Sequence, residues 1–549
     1  MSTTNEESLY ERVLRQLAAS PGEGKKGPAG ELPAPRASAA VVVWRQKKGG
    51  IEIYWVRRSP ELAFMGGWHA FPGGGLAKSD PEVPVSGTPR GLDAAGHAQG
   101  FPDALRDSVE SVGPDLVPGI AACALRELFE ETGLLVTAAN APQTGIVHIA
   151  DTADLARERQ ALLDHAKSFA QILADLGVTL DAGALVYAGR WLTPPFAPMR
   201  FDTRFFLLEW PEGAPTNPEV WPGELAEGEW IEPGKAWQRW RDGEVLAAPP
   251  ILYTLRVLAS AGPERGLPQL VDNSADNLGP FRRIELRPGV LLFPLVVQTL
   301  PPATTVNCYL LGFGAGVLVD PGASSELEIA RLKEGLAVAE SSLGRRATAI
   351  WLTHHHPDHI GGVAQLAAHL GVPVLAHEQT ADRLAARGIA VERLLHDGER
   401  IVLPGDPPMA VRVVHTPGHA RGHLCFFDEE GGSLLAGDMV AGLGMIVVDP
   451  PEGDMDDYLA SLEKMIELVP RTLFPGHGPA VLDAVAKLRE YLKHRLWREE
   501  RVLEAARRGQ TPREMLPTVY DDVPPVAYPL AERQILAHLE RLRRAGKLS

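Results

Sequence analysis

THHHPDHIGG, Thr353–Gly362, follows the apolar run ATAIWL at residues 347–352. The run reads as a buried strand, so the imidazoles of His354, His356 and His359 and the carboxylate of Asp358 sit on a tight loop at a strand's end, where a rigid scaffold can make side chains converge. Neutral imidazoles with one carboxylate are ligands that Zn²⁺ accepts while keeping a position open for water. Three later stretches have the same form: HTPGHARGH (His415–His423), LLAGDM (Leu434–Met439) and LFPGHGP (Leu473–Pro479) each place His or Asp after an apolar strand and close to a glycine. One such loop would read as surface histidines on a turn. Four in succession predict a metal centre.

Around these loops the pattern is of short buried strands, GVLLFPLVV, CYLLGF and GVLVD, followed by strand–helix alternation through AIWLTH, VAQLAAHLG and VPVLAHE. That is an α/β pattern. In this order the motifs resemble the metallo-β-lactamase-fold hydrolases, whose αββα sandwich gathers its ligands from successive loops along one edge. The resemblance implies that His354, His356 and His419 hold a first metal, that Asp358, His359 and His477 hold a second, and that Asp438 bridges them. Asp320, in GVLVDPG, matches the family's buried aspartate that orients the loop. His355 falls at a variable position and reads as an exposed histidine, while His415 and His423 flank the His419 element. Ligation by His and Asp alone implies two Zn²⁺. Paired divalent cations lower the pKa of a shared water toward ~7 and polarise the oxygen under attack; Asp358 is then the group that steers the nucleophile or moves its proton.

TTVNCYLLG, the run from Gly437 to Met465, and FPGHGPAV followed by YLKHRLWREERVLEA resemble the β-lactamase-like-protein-2 group, known as single-strand-selective endoribonucleases with a small winged-helix-like C-terminal module. Glyoxalase II continues its last ligand histidine as a GHEYT-like sequence; this chain reads GHGPAV. Residues 481–549 carry fourteen Lys/Arg against ten Asp/Glu, a net of +4 against −16 for the whole chain, so single-stranded RNA is a possible partner of this half. Mixed-charge helices of this kind also occur simply as solvated faces.

In the first half, FPGGGL (Phe71–Leu76) is a glycine turn after a strand, and RELFEETGLL (Arg126–Leu135) is a helix closing in a glycine. Glu127, Glu130 and Glu131 share one helix face at i, i+3 and i+4. Three carboxylates together call for a cation, and oxygen-only ligands suit Mg²⁺ or Mn²⁺. The combination resembles the Nudix diphosphate hydrolases, with Glu130 and Glu131 in catalytic positions. Gly74 opens the pattern, an insertion over about 77–117 displaces its second half, and Pro118 stands where the pattern has its first Glu. RRSPELAFMGGWHAFPGGG and WLTPPFAPMRFDTRFFL are similar to the peroxisomal coenzyme A diphosphatases, which implies substrate binding by Arg58 and Gly74. Arg58, Ser59 and Gly67 match the coenzyme A signature, and Ala63 replaces its second Arg. A further carboxylate could come from Glu224, Glu227 or Glu229.

The chain is thus expected to be an α/β and α+β multidomain protein of 549 residues. A flexible segment at 1–36 leads into a Nudix-like α/β/α sandwich at 37–262. After a linker at 263–283 come the metallo-β-lactamase αββα sandwich at 284–480 and the winged-helix-like module at 481–549. A hairpin is predicted across the Lys-Lys-Gly-Gly turn near residue 49, with helices around Ala121–Glu131 and Leu155–Leu176. Three widely spaced cysteines, Cys123, Cys308 and Cys425, build no disulfide framework. No apolar run approaches the ~18–20 residues of a membrane span, and the acidic N-terminus lacks the pattern of a signal peptide. The expectation is a cytoplasmic hydrolase. Its substrates are a nucleotide or coenzyme A-type diphosphate at one site and RNA at the other. A thioester hydrolase paired with a coenzyme A diphosphatase is the alternative, as is a first half that only binds.

Overall fold

The structure, a computed structural model, describes residues 35–62, 65–92, 116–138, 152–193, 200–210, 217–221, 223–272, 284–300, 303–323, 325–442 and 444–548. Ala63, most of the 1–36 segment, much of the 77–117 insertion and the second half of the 263–283 linker lie outside the described residues. The chain divides into two compact units, Leu32–Arg283 and a second one that takes in Ile284–Ser549.

The first unit is built on β1 (Arg36–Lys47), β2 (Gly50–Arg58), β3 (His69–Ala70) and β4 (Gly73–Gly75), the small pair β5 (Val85–Ser86) and β6 (Leu180–Asp181), and β7 (Val186–Leu192), β8 (Phe201–Glu209) and β9 (Leu225–Ile231). The main sheet runs β3-β2-β1-β8-β7, with β4 on β1 and β9 on β2. β1 and β2 form the expected hairpin, and β1 pairs in parallel with β8. The alternation of a strand explains the two cores. Ala39, Val41 and Val43 face helix α1 (Leu116–Thr132), where Ile120, Leu125 and Leu128 are fully buried. Ala40 and Val42 face the opposite core with Trp55, Ile251 and Leu255. Helices therefore cover both faces.

The helix predicted over Leu155–Leu176 is two, α2 (Thr152–Leu163) and α3 (Phe169–Leu176). His165 takes a left-handed φ of 56°, and Ser168 restarts the helix with a capping box to Gln171. After α4 (Pro233–Arg241) comes α5 (Pro249–Val271), kinked at Gly262. Residues 263–271, expected to be linker, are thus helical.

In the second unit, one sheet orders β10 (Ile284–Arg287), β11 (Val290–Val296), β12 (Thr305–Leu311), β13 (Ala315–Val319), β14 (Arg346–Trp351), β15 (Val374–Ala376) and β16 (Arg393–Leu394). The other orders β17 (Arg400–Leu403), β18 (Met409–His415), β19 (Leu424–Asp428), β20 (Ser433–Gly437) and β21 (Thr472–Pro475). Trp351 meets Phe426 between the sheets with ring centroids 5.1 Å apart, and Tyr309 meets Phe474 at 5.7 Å. Helices α6 (Glu326–Leu343), α7 (Pro357–Ile360), α8 (Val363–Leu370) and α9 (Glu378–Ala385) belong to the first sheet's half of the chain. α10 (Met455–Glu467) packs on the second sheet through Tyr458 and Leu462.

β13 and β14 are parallel; β18 and β20 both run antiparallel to β19, and β21 runs parallel to β20. The loops that leave β13, β14, β18, β20 and β21 consequently emerge at like ends of their strands. α11 (Ala484–Arg507), α12 (Pro512–Val519) and α13 (Tyr528–Arg544) close the chain around Val502, Met515, Ile535 and Leu542. Among the described residues, this last segment has no strand and hence no β-wing.

Phe426 is fully buried between the sheets, whereas Val402 on β17 is 52% exposed. Phe426→Ala should lower stability by about 3–5 kcal/mol and Val402→Ala by less than about 0.5 kcal/mol, read from urea unfolding of the full chain.

Candidate functional site

The centre starts at Asp320, directly after β13, whose φ of 49° places a non-glycine residue in left-handed backbone. Its Oδ1 accepts the Thr353 backbone N–H at 2.8 Å, and its Oδ2 accepts the Thr353 hydroxyl at 2.6 Å and His359 Nδ1–H at 2.8 Å. With Nδ1 bound, His359 turns Nε2 inward. The same device orients two other histidines. His419 Nδ1 donates to the Val447 carbonyl at 2.7 Å, and His477 Nδ1 donates to the Thr305 carbonyl at 2.7 Å.

The inward atoms form two groups. His354, His356 and His419 bring one nitrogen each to within 4.8 Å of one another, and so do the ligand atoms of Asp358, His359 and His477. Asp438 lies between them, its Oδ1 3.4 Å from His359 Nε2 and 3.6 Å from His477 Nε2, its Oδ2 3.6 Å from His419 Nε2. Asp320, His354 and His359 also converge, but both Asp320 oxygens already accept hydrogen bonds, so it supports the site from behind. The seven residues predicted to ligate zinc are thus brought together.

Burial and neighbouring imidazoles hold His354 and His356 below the ordinary histidine range, so they remain neutral donors. Burial alone would raise Asp358 and Asp438; the hydrogen bond and charge of His477 overcome it for Asp358, and the charges of His477 and His359 overcome it for Asp438, keeping both carboxylates low. His359 Nε2 and Asp438 Oδ1 are buried without a hydrogen-bond partner. Two such atoms facing each other fit a cation between them, because an unpaired buried polar atom is costly. Gly476 makes the approach possible: a Cβ there would stand 2.5 Å from Asp438 Oδ1.

Thr299 and His423 were not foreseen in these positions. Thr299 Oγ1 donates to Asp358 Oδ2 at 2.7 Å. His423 is fully buried; its Nε2 accepts the Asp438 backbone N–H at 3.1 Å, and its Nδ1 bonds the Thr416 hydroxyl at 2.9 Å. The spacing in HTPGHARGH singled out His423, but no sequence signal marks Thr299. His415 instead stacks on His377 at 4.1 Å and bonds the Arg421 carbonyl. His355 is half-buried and joins neither group.

In the first unit, Glu131 accepts the Gly73 N–H at 2.9 Å. Gly74 lies so close to Glu127 that a Cβ would stand 2.5 Å from the carboxylate. Arg126 pairs with Glu127 at 2.9 Å and Glu130 at 2.8 Å, and the three glutamates do not form a converged group among the described residues. Burial, followed by the opposing pull of Arg126, leaves Glu127 raised to about 7; burial and the Glu127 charge hold Glu131 well above the carboxylate range. These raised values mark a face on which a cation would relieve repulsion.

The reading of Pro118 as the replaced acid is corrected by Asp80. This residue lies six positions after Gly74, at the box's own spacing, and its fully buried carboxylate receives Arg126 Nε at 2.7 Å and Nη2 at 3.0 Å. The acid precedes the insertion, and counting from Gly74 finds it. Among the three candidate glutamates, Glu227 pairs with Arg57 and Glu229 with Arg239. Glu224 pairs with Arg58 at 3.4 Å and its charge acts on Glu131.

Three family descriptions match the chain: the NUDT19 Nudix domain over residues 32–258, the metallo-beta-lactamase superfamily over 301–477, and the beta-lactamase associated winged helix domain over 511–549. A beta-lactamase-like protein 2 homolog of Drosophila melanogaster is 32% identical over 276 residues, 45% of this chain and 86% of the relative. An atrochrysone carboxyl ACP thioesterase of Aspergillus chevalieri is 32% identical over 229 residues, 40% of this chain and 68% of the relative. The crystal structure of a NUDIX hydrolase from Alicyclobacillus acidocaldarius is 28% identical, covers 45% of this chain and 98% of its own, and has a TM-score of 0.33. The chain belongs to the metallo-β-lactamase superfamily, with a Nudix domain preceding that fold. Within the superfamily, the second half is similar to the beta-lactamase-like protein 2 homologs, and both large domains are of metal-dependent hydrolase families.

Asp320→Asn leaves an oxygen to accept the Thr353 N–H but disrupts the other two bonds. Divalent-metal affinity should fall about 10–100-fold, measured by chelator competition. Asp80→Asn should cost the first unit about 1.5–3 kcal/mol by weakening the bidentate hold on Arg126, seen as an earlier unfolding step in urea.

Proposed function

We propose that the second half is a binuclear zinc hydrolase cleaving single-stranded RNA or a related phosphodiester, joined to a Nudix hydrolase of nucleotide or coenzyme A-type diphosphates. The observation carrying the first part is the pair of three-residue groups that share Asp438, with two buried atoms facing each other unpartnered. His354, His356 and His419 would hold one Zn²⁺, Asp358, His359 and His477 the other, and Asp438 both. When bound, the ions supply ionised water at neutral pH and neutralise charge on the attacked group. The chain's own groups do the rest. Thr299 fixes one Asp358 oxygen, which leaves Asp358 aimed at the centre to hold the proton of the attacking water. The helices after Val481, with their excess of Lys and Arg, support RNA as the substrate.

In the Nudix half, Glu127, Glu130 and Glu131 would hold Mg²⁺ or Mn²⁺, with Glu224 as the added carboxylate and Arg58 beside it for the diphosphate. Asp80 meeting Arg126 supports an active domain over a purely binding one. Among the described residues, no helix is long and apolar enough to cross a membrane.

The thioesterase among the relatives favours a second reading, thioester hydrolysis at the zinc centre. Parallel assays on single-stranded RNA, an acyl-CoA and coenzyme A separate the two. The expected result is RNA cleavage lowered at least ~10³-fold in Asp438→Ala and unchanged in Glu130→Gln/Glu131→Gln, with diphosphate cleavage showing the reverse pattern. Thioester cleavage without RNA cleavage would overturn the RNA assignment. Metal analysis should find two zinc ions in this centre, and iron there would contradict the zinc assignment.

A further inference from the structure

The Val447 carbonyl that fixes His419 lies on an irregular segment between β20 and α10. A segment without ladder partners does not by itself hold a carbonyl in place. Here the C-terminal helices hold both neighbours. Arg495 Nη2 on α11 donates to the Ile446 carbonyl, and Gln534 Nε2 on α13 donates to the Val448 carbonyl at 2.8 Å. Arg495 Nη1 also donates to Gln534 Oε1 at 2.9 Å, which links the two clamps. Arg495, Gln534, Ile446 and Val448 are all buried.

The chemistry of Arg495 argues against a purely packing role. Its guanidinium lies 5.1 Å from the Tyr458 ring, its hydrogen-bond partners are neutral oxygens, and no described carboxylate is placed in an ion pair with it. A buried cation without a counter-ion is costly for a fold to keep. Five N–H donors in one plane, however, can serve a backbone carbonyl and a side-chain amide at once. We propose that Arg495 and Gln534 are positioning residues for the metal centre: by fixing residues 446 and 448 they set the Val447 carbonyl, and through it the direction in which His419 presents Nε2. The C-terminal module is then a component of the His354–His356–His419 site. This rests on the reading of those histidines as metal ligands.

The test uses the full-length chain, zinc alone as the probe, and three variants. Arg495→Met and Gln534→Met remove the clamp. Arg498→Met is the control, because Arg498 is equally buried in the module but bonds Val519 and Asp522 within it. Chelator competition should show one of two zinc equivalents loosened about tenfold or more in each clamp variant. In Arg498→Met the thermal midpoint should fall with both zinc affinities unchanged. Clamp variants that bind both zincs as tightly as the parent, or lose affinity only as much as Arg498→Met does, overturn the proposal. If Arg495→Met does not fold, Gln534→Met, which removes no charged side chain, decides alone. A parent chain that binds no zinc overturns the metal-centre reading and the clamp together; a parent that binds two, with unaltered clamp variants, overturns the clamp alone.

Discussion

Asp320 is the interaction on which the metal centre hangs, since one carboxylate serves three donors at once and sits in backbone that costs energy to hold. The Thr353 N–H fixes where the histidine loop leaves β14, the Thr353 hydroxyl fixes its direction, and His359 Nδ1 fixes which nitrogen faces inward. His419 and His477 repeat this last contact with backbone carbonyls in place of a carboxylate. Each carbonyl comes from a different part of the chain, Thr305 at the start of β12 and Val447 on an irregular segment. The geometry of the ligands is therefore decided by the stiffness of what stands behind them.

The two units handle concentrated charge differently. In the second, the charges of His359 and His477 offset those of Asp358 and Asp438, and two atoms are left facing with no partner. In the first, Arg126 stands among four carboxylates, Asp80, Glu127, Glu130 and, further off, Glu131. Its bidentate hold on Asp80 is buried and fixed, while its contacts to Glu127 and Glu130 lie on the face where a divalent ion would compete. An arginine there keeps the helix face from repelling itself apart whether or not an ion is present.

The metal ligands were legible because strand-end loops repeat one local grammar, an apolar run followed by His or Asp with a glycine close by, and because each loop is short enough for its neighbours to dictate its shape. Strand β1 was legible by its β-branched residues. Three features were not. The break between α2 and α3 depends on a single left-handed residue and a capping box, within a stretch whose periodicity never falters. The role of Asp80 was hidden by reading forward from the insertion instead of counting from Gly74. Thr299, Arg495 and Gln534 reach the centre through tertiary contacts alone, so no spacing along the chain could announce them; Arg495 and Gln534 in particular read as ordinary polar residues of solvated helices.

β1 sits in the middle of its sheet, yet its parallel neighbour is β8, with Ser38 bonded to Thr203 across 165 residues of chain. A ribosome adding ~5–20 residues per second needs roughly 10–30 s to deliver that partner. Over this interval the nascent chain carries Ala39–Val43, apolar on both faces, with β2 and β4 on one edge, α1 available for one face, and the edge that β8 will take unpaired. Strand edges of that kind pair readily with other chains. The order of synthesis thus leaves one edge of a central strand of the first domain long unpaired, and slow release or chaperone cover would matter more to this half of the protein than its final stability suggests.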